Sequence, residues 1–283
     1  LVEAAKILHE LALRAKQVAK PLRELRTTIG KADGWYSLSR WAHQERCTPI
    51  RLDADGIRLL DARHPLLKNK AIPITIILEK GISGVVLSGP NAGGKTVTVK
   101  TFGLFSLLNQ YCGYLPVREG SALPLFDRIF TDIGDEQSIE KELSTFSGHM
   151  SRLAEILNHL TPNSLVILDE LGSGTDPLEG SALAQAILSH SLSRSALTLV
   201  TSHHGVLKEY AYSKRNIINA AMEFDEVSGK PTFRIIPNVI GRSHALATAK
   251  AMGLPQEVLR EAEELLGSDR IELSSILERL EEE

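Results

Sequence analysis

Val85-Val86-Leu87-Ser88 runs directly into Gly89-Pro90-Asn91-Ala92-Gly93-Gly94-Lys95-Thr96, and then into a helix-type stretch from Val97 to Asn109. Strand, loop and helix in that order predict an α/β protein in which a buried strand hands the chain to a phosphate-cradling loop. Gly93 and Gly94 let successive backbone N–H groups converge on phosphate oxygens with no Cβ in the way. Lys95 adds a point charge at the outer phosphates, and the Thr96 hydroxyl is of the type that ligates Mg²⁺. The helix opening at Val97 turns its partly positive amino end to the same place. The expected ligand is a nucleoside triphosphate with Mg²⁺. A glycine-rich turn without function is the competing reading, and the order of the three elements disfavours it.

Leu165-Val166-Ile167-Leu168-Asp169-Glu170 applies the same logic to a second strand, where four apolar residues deliver two carboxylates. Asp169 is expected to hold the metal through water, and Glu170 to orient or deprotonate the attacking water. Apolar strands ending in an acid are common, so this reading leans on the loop that ends at Lys95. Gly172-Ser173-Gly174-Thr175-Asp176-Pro177 comes next as a turn-rich loop, and Leu199-Val200-Thr201-Ser202-His203 sets a histidine at the end of the next strand. His203 there can donate to the γ-phosphate or position water. Neighbouring strand residues alternate faces, so His204 is expected to point away. Ser144-Thr145-Phe146-Ser147 lies just before a helix and offers hydroxyls and free amides to a second anion. Plain helix capping and completion of a partner's site across a twofold interface both fit these residues.

The 283 residues are 43% hydrophobic and 24% charged, which suits about two globular domains with a full core. No run approaches the ~18 apolar residues of a membrane span, and the first residues do not read as a signal peptide. Two cysteines, Cys47 and Cys112, make no disulfide framework, which fits a cytoplasmic location. A net charge of −3 argues against a generic electrostatic grip on nucleic acid by this chain alone. The start at Leu1 without a methionine and the ending Glu281-Glu282-Glu283 read as a piece of a longer protein.

Three parts are expected. Residues 1–54 form a helical lever or core segment, with an apolar seam through Leu8, Leu11, Val18, Leu22, Leu25 and Ile29 and a kink or a break into two helices at Pro21. Residues 55–240 alternate strands and helices, implying a mostly parallel sheet with an antiparallel part. Strand candidates are 57–60, 74–78, 165–168, 197–200, 219–224 and 232–236. In residues 241–283, Ser243 caps one helix, Gly253 ends it and Pro255 opens the next, which reads as a helix-turn-helix followed by the start of a further helix.

Taken together, GPNAGGKT (Gly89 to Thr96), STFSGHM (Ser144 to Met150), LVILDELGSGTDPLEG (Leu165 to Gly180) and TSHH (Thr201 to His204) closely resemble the DNA mismatch-repair MutS family. Asp135 to Ile139, Ser147 to Met150 and Thr175 to Gly180 are similar to the bacterial MutS-two branch of it. The resemblance implies an ABC-type P-loop ATPase, a mixed sheet flanked by helices, that works as a homodimer with two composite sites. Lys95, Thr96, Asp169, Glu170 and His203 would then serve in cis, with Gly89, Pro90, Asn91, Ala92, Gly93, Gly94 and Val97 around the ATP. Gln137 would occupy a metal- and water-sensing loop, and Ser144 with Thr145 would reach the other subunit's phosphates. The helix-turn-helix near Gly241 to Leu266 would support the dimer.

Such sites hold adenine with an aromatic residue just upstream of the phosphate loop. Here Ala71-Ile72-Pro73 offers only Ile72, so weaker base stacking is expected. Glu142-Leu143 also replaces the Gly-Arg of mismatch-recognising members and removes a cation from the trans site. The branch is associated with suppression of homologous recombination through branched DNA and with rescue of collided ribosomes. Branched DNA or a ribosome is therefore the implied partner, through domains partly outside these residues, and any nuclease activity lies outside them too. The alternative is the ATPase end of a mismatch-recognising MutS protein. A switch that binds ATP without turning it over is a further class. A transporter ATPase would need Leu-Ser-Gly-Gly-Gln, which Leu143-Ser144-Thr145-Phe146 does not match.

Overall fold

A computed structural model describes residues 2–52, 55–89, 93–134, 145–225, 230–239, 246, 249–250 and 252–265. Its elements are α1 (Val2–Gln44), β1 (Thr48–Pro49), β2 (Ile57–Ala62), a 3-10 segment (Pro65–Lys70), β3 (Ile74–Leu78), β4 (Gly84–Ser88), α2 (Lys95–Cys112), β5 (Tyr114–Leu115), β6 (Arg128–Asp132) and α3 (Thr145–Asn158). They continue with β7 (Ser164–Leu168), α4 (Pro177–Leu192), β8 (Leu197–Thr201), α5 (Gly205–Tyr212), β9 (Ile217–Asp225) and β10 (Lys230–Pro237).

Six strands form the central sheet in the order β10-β9-β4-β8-β7-β6. The β10–β9 pair is antiparallel and every other pair is parallel, so the sheet is mixed, with one antiparallel edge. Every residue of β4, β7 and β8 is buried, as continuous apolar runs must be when helices cover both faces. Alternation divides the core in two. Val85, Leu87, Leu165 and Ile167 join Phe102 and Phe105 of α2, whereas Val86, Val166, Leu168 and Val200 join Leu153 of α3, Leu188 of α4 and Leu207 of α5. A Cβ on Gly103 would lie 2.9 Å from Ile167 Cδ1, so glycine at this position lets α2 settle closely on β7. Because β4, β7 and β8 run in one direction, the loops after them gather at one edge of the sheet.

Of the two outcomes expected at Pro21, the break into two helices does not occur, and α1 is one helix of 43 residues, about 65 Å long. Proline removes one backbone bond and crowds one carbonyl, and the helical bonds on either side carry the chain past it. The seam residues Leu8, Leu11, Val18, Leu22, Leu25 and Ile29 all remain more than half exposed. Towards the other end, Gly253 adopts φ +84 and donates to the Lys250 carbonyl at 3.1 Å, a helix-ending turn, and residues 256–265 are helical. Residues 246 and 249–250 are also helical, while 241–245, 247–248, 251 and 266–283, Ser243 and Gly267 among them, lie outside the described residues. Among the described residues no helix is long and apolar enough to cross a membrane.

Candidate nucleotide site

The phosphate loop leaves β4 at Gly89, where φ is +133 and a Cβ would stand 3.0 Å from Met222 Cβ. It enters α2 through Gly94, the N-cap, at φ +90, where a Cβ would meet Phe233 Cδ1 at 2.9 Å. Both positions need glycine for conformation and for space. Gly93 is buried, while Pro90, Asn91 and Ala92 lie outside the described residues. Lys95 opens α2 with only 2% exposure, and its ammonium donates to the Gly89 carbonyl at 2.6 Å. Burial pulls the Lys95 pKa below the usual lysine range against the opposing pull of Glu170 and Asp169. Half-buried Thr96 and exposed Val97 follow on the same first turn.

Asp169 is the first residue past β7 and is buried. Its carboxylate accepts a hydrogen bond from the Thr201 hydroxyl at the end of β8, and the same hydroxyl oxygen accepts from the Glu170 N–H at 2.8 Å. Glu170 sits at φ +52, a left-handed conformation that costs a non-glycine residue about 1–2 kcal/mol. The bond to Thr201 holds it there. One hydroxyl thus fixes both acids. Sequence reasoning misses this role of Thr201, for which the one signal is a hydroxyl residue closing a buried strand.

His203, two residues past β8, brings Nε2 to 3.4 Å from the Lys95 ammonium. Partial desolvation, then Lys95, Lys208 and His204, push its pKa below the ordinary imidazole value, with Asp169 opposing them. His204 turns elsewhere, with Nδ1 2.8 Å from Ser181 Oγ on α4. Lys208 of α5 is a cation at this site that sequence reasoning also misses, half-buried and with its pKa lowered by burial. Nothing in its local sequence marks it, since α5 itself carries no clear helical signal. The loop after Glu170 is pinned by Asp176, whose carboxylate caps α4 by accepting from the N–H groups of Leu178 and Glu179 at 3.0 and 3.2 Å.

Beside the loop lies a cavity of about 140 Å³ lined by residues that include His64, Ile72, Val97 and Phe233. Ile72, the residue expected at the base, lines this cavity, and β10 delivers the Phe233 ring to the same cavity and against Gly94. Strand pairing at the far edge of the sheet brings it there, which no local pattern near Lys95 reveals. His64 Nδ1 is buried without a hydrogen-bond partner among the described residues, and burial followed by Lys100 lowers its pKa. A neutral ring with an open nitrogen is suited to a polar edge of a bound nucleoside.

The structure brings together Gly89, Gly94, Lys95, Asp169, Glu170 and His203. Gln137 and Ser144 lie outside the described residues, and Thr145 opens α3 with its side chain outside them.

Residues 85–268 match the family model described as MutS domain V. Among curated proteins, Endonuclease MutS2 of Pelotomaculum thermopropionicum is 41% identical over 280 residues, an alignment that covers 99% of this chain and 36% of that protein. The proteins of the same name in Clostridioides difficile and Geobacillus sp. are 41% identical over 281 residues and 39% over 282, with the same two coverages. The chain therefore spans 36% of the length of these relatives.

Proposed function

Because this chain belongs to the MutS family, on its MutS2 branch, we propose that it is the Mg²⁺-dependent ATPase module of a MutS2-like protein. The observation that carries this reading is the meeting of Lys95, His203, Asp169 and Glu170, drawn from three parallel strands, at the carboxyl edge of the sheet. Thr96 and Asp169 supply the hard oxygen donors that suit Mg²⁺, which takes most of its shell from phosphate and water. The buried carboxylate is already oriented by Thr201. The ion would screen charge on the β- and γ-phosphates.

Lys95 balances charge on the outer phosphates from a dry position, where its attraction to them is stronger than in water. Glu170 orients the attacking water and takes its proton. His203, neutral at physiological pH, hydrogen-bonds the γ-phosphate or that water. Phe233, Ile72 and His64 receive the base. In the dimer, Gln137 senses the metal and Ser144 with Thr145 of one protomer close the partner's site. The helical arm of residues 1–54 carries the nucleotide state outward from the ATPase domain (55–240), and residues 241–283 support dimerisation. The whole protein would act on branched DNA, suppressing recombination, on collided ribosomes, or on both, and any nuclease activity would lie outside residues 1–283.

The test uses the full-length protein with Glu170→Ala. It should bind ATP and dimerise while phosphate release falls by at least about a hundredfold, and the trapped form should retain four-way DNA junctions, ribosomes or both in parallel pulldowns. Undiminished phosphate release would remove Glu170 from the chemistry and sink the mechanism. A trapped dimer that retains neither target would leave the ATPase and sink its proposed cargo.

A further inference from the structure

Asp132 ends β6 with 5% of its side chain exposed. Its two carboxylate oxygens divide between two residues one turn apart on α3: Arg152 Nε donates to Oδ1 at 2.7 Å, and His149 Nδ1 lies 2.8 Å from Oδ2. Its main chain faces the other way, with the carbonyl accepting from the Asp169 N–H at 2.9 Å. Gly134 packs against the same imidazole, where a Cβ would lie 3.1 Å from His149 Cε1. A single residue is thus bonded through its backbone to the metal-site acid and through its side chain to the helix that Thr145 opens.

Apolar contacts of Leu153 and Ile156 hold α3 against the core, but such contacts are non-directional and tolerate a slide or a rotation. A buried carboxylate with two charge-assisted partners is directional, and losing one partner leaves charge uncompensated in a dry place. The register of α3 against Asp169 is therefore set by Asp132.

We infer that Asp132, His149 and Arg152 form a positioning latch that makes the Asp169 metal site and the amino end of α3 move as one unit, coupling each site to its partner protomer. The inference rests on the dimeric reading of the ATPase. None of the three residues is among those assigned above to the nucleotide, so their loss should spare ATP binding and impair dimer closure and turnover.

The test again uses full-length protein, with Arg152→Ala, Arg152→Lys, Asp132→Asn and the Asp132→Asn/Arg152→Ala pair. The readouts are ATP affinity by fluorescent-nucleotide titration, kcat, and ATP-driven dimerisation by light scattering in a Glu170→Ala background. Arg152 is half-exposed, so its alanine variant should fold even if Asp132→Asn does not. Arg152→Ala and Asp132→Asn should hold ATP within about twofold of the parent while weakening the dimer and lowering kcat about tenfold. The pair should be no worse than the harsher single variant, because both act through one network. Arg152→Lys should recover part of the loss. Parent-like dimerisation of Arg152→Ala, or ATP affinity falling by the same factor as the dimer, overturns the latch and leaves the ATPase reading standing. A Glu170→Ala parent that binds ATP without dimerising overturns the dimeric reading and the latch with it.

Discussion

The Lys95 ammonium lies 3.4 Å from Nε2 of His203, a residue 108 positions further along the chain. An ammonium has hydrogens to give and no lone pair to accept with, so the contact calls for a neutral imidazole with its proton on Nδ1. The depressed pKa of His203 fits the same state. Because the folded value lies below the ordinary 6.5, the unfolded chain takes up this proton first. The site is unpenalised above that pH and loses stability as pH falls through it towards the folded value.

The acid limb of the pH–rate profile should accordingly have its midpoint below 6.5. His203→Gln should lower kcat by about a hundredfold and flatten the limb. Steady-state phosphate release between pH 5 and 8 measures both, and a limb that survives the substitution belongs to another group.

Thr201→Val keeps the shape of the side chain and removes the hydroxyl that serves both acids. The Asp169 carboxylate and the Glu170 N–H then lose a shared partner in a buried place, at about 1–3 kcal/mol of stability. A melting curve should register that loss, and a magnesium titration of turnover should shift to higher concentration. Thr201→Ser should return both towards the parent.

Phe233→Ala should weaken ATP binding about tenfold, the effect of losing ~1.4 kcal/mol of aromatic contact, with little change in kcat at saturation. Ile72→Ala, which removes a half-exposed aliphatic side chain from the same cavity, should cost less. Titrations with ATP and with a nucleotide lacking the purine test the assignment. If Phe233 leaves both affinities untouched, the base binds elsewhere.

Gly180→Ala sets a methyl 2.3 Å from the Gly172 carbonyl oxygen, where backbone meets backbone and neither can yield cheaply. It should cost about 2–3 kcal/mol and loosen the loop after Glu170. Gly174→Ala meets no atom within 4 Å but sits at φ +81, so its penalty should be nearer 1 kcal/mol. Denaturant unfolding of the two variants separates crowding from backbone strain.

The parts of the fold legible in the sequence are those whose signal is local. Residues 85–109 read as strand, loop and helix, and β4 with α2 occupies that stretch. The apolar runs at 165–168, 197–200, 219–224 and 232–236 fall inside β7, β8, β9 and β10. Strand β6, with arginine and aspartate at its ends and a threonine within, shows no apolar run and escapes a periodicity reading, as do the eight residues of α5. That blind spot hides Asp132 and Lys208. Thr201 and Phe233 are visible as residues, but their roles depend on which strands become neighbours, and a one-dimensional pattern does not encode that. The seam of α1 is legible as a pattern, yet its exposure in the fold is not.

The position of β4 between β8 and β9 has a consequence for biosynthesis. The strand that begins the phosphate loop leaves the translating ribosome more than a hundred residues ahead of both of its neighbours. Until they emerge, Val85, Val86 and Leu87 form a two-sided apolar edge of the kind that chaperones shield and that aggregates when left unshielded. Competence to handle nucleotide should therefore appear abruptly and late in synthesis. Chains ended early by a premature stop codon should feed degradation rather than leave a half-working enzyme in the cell.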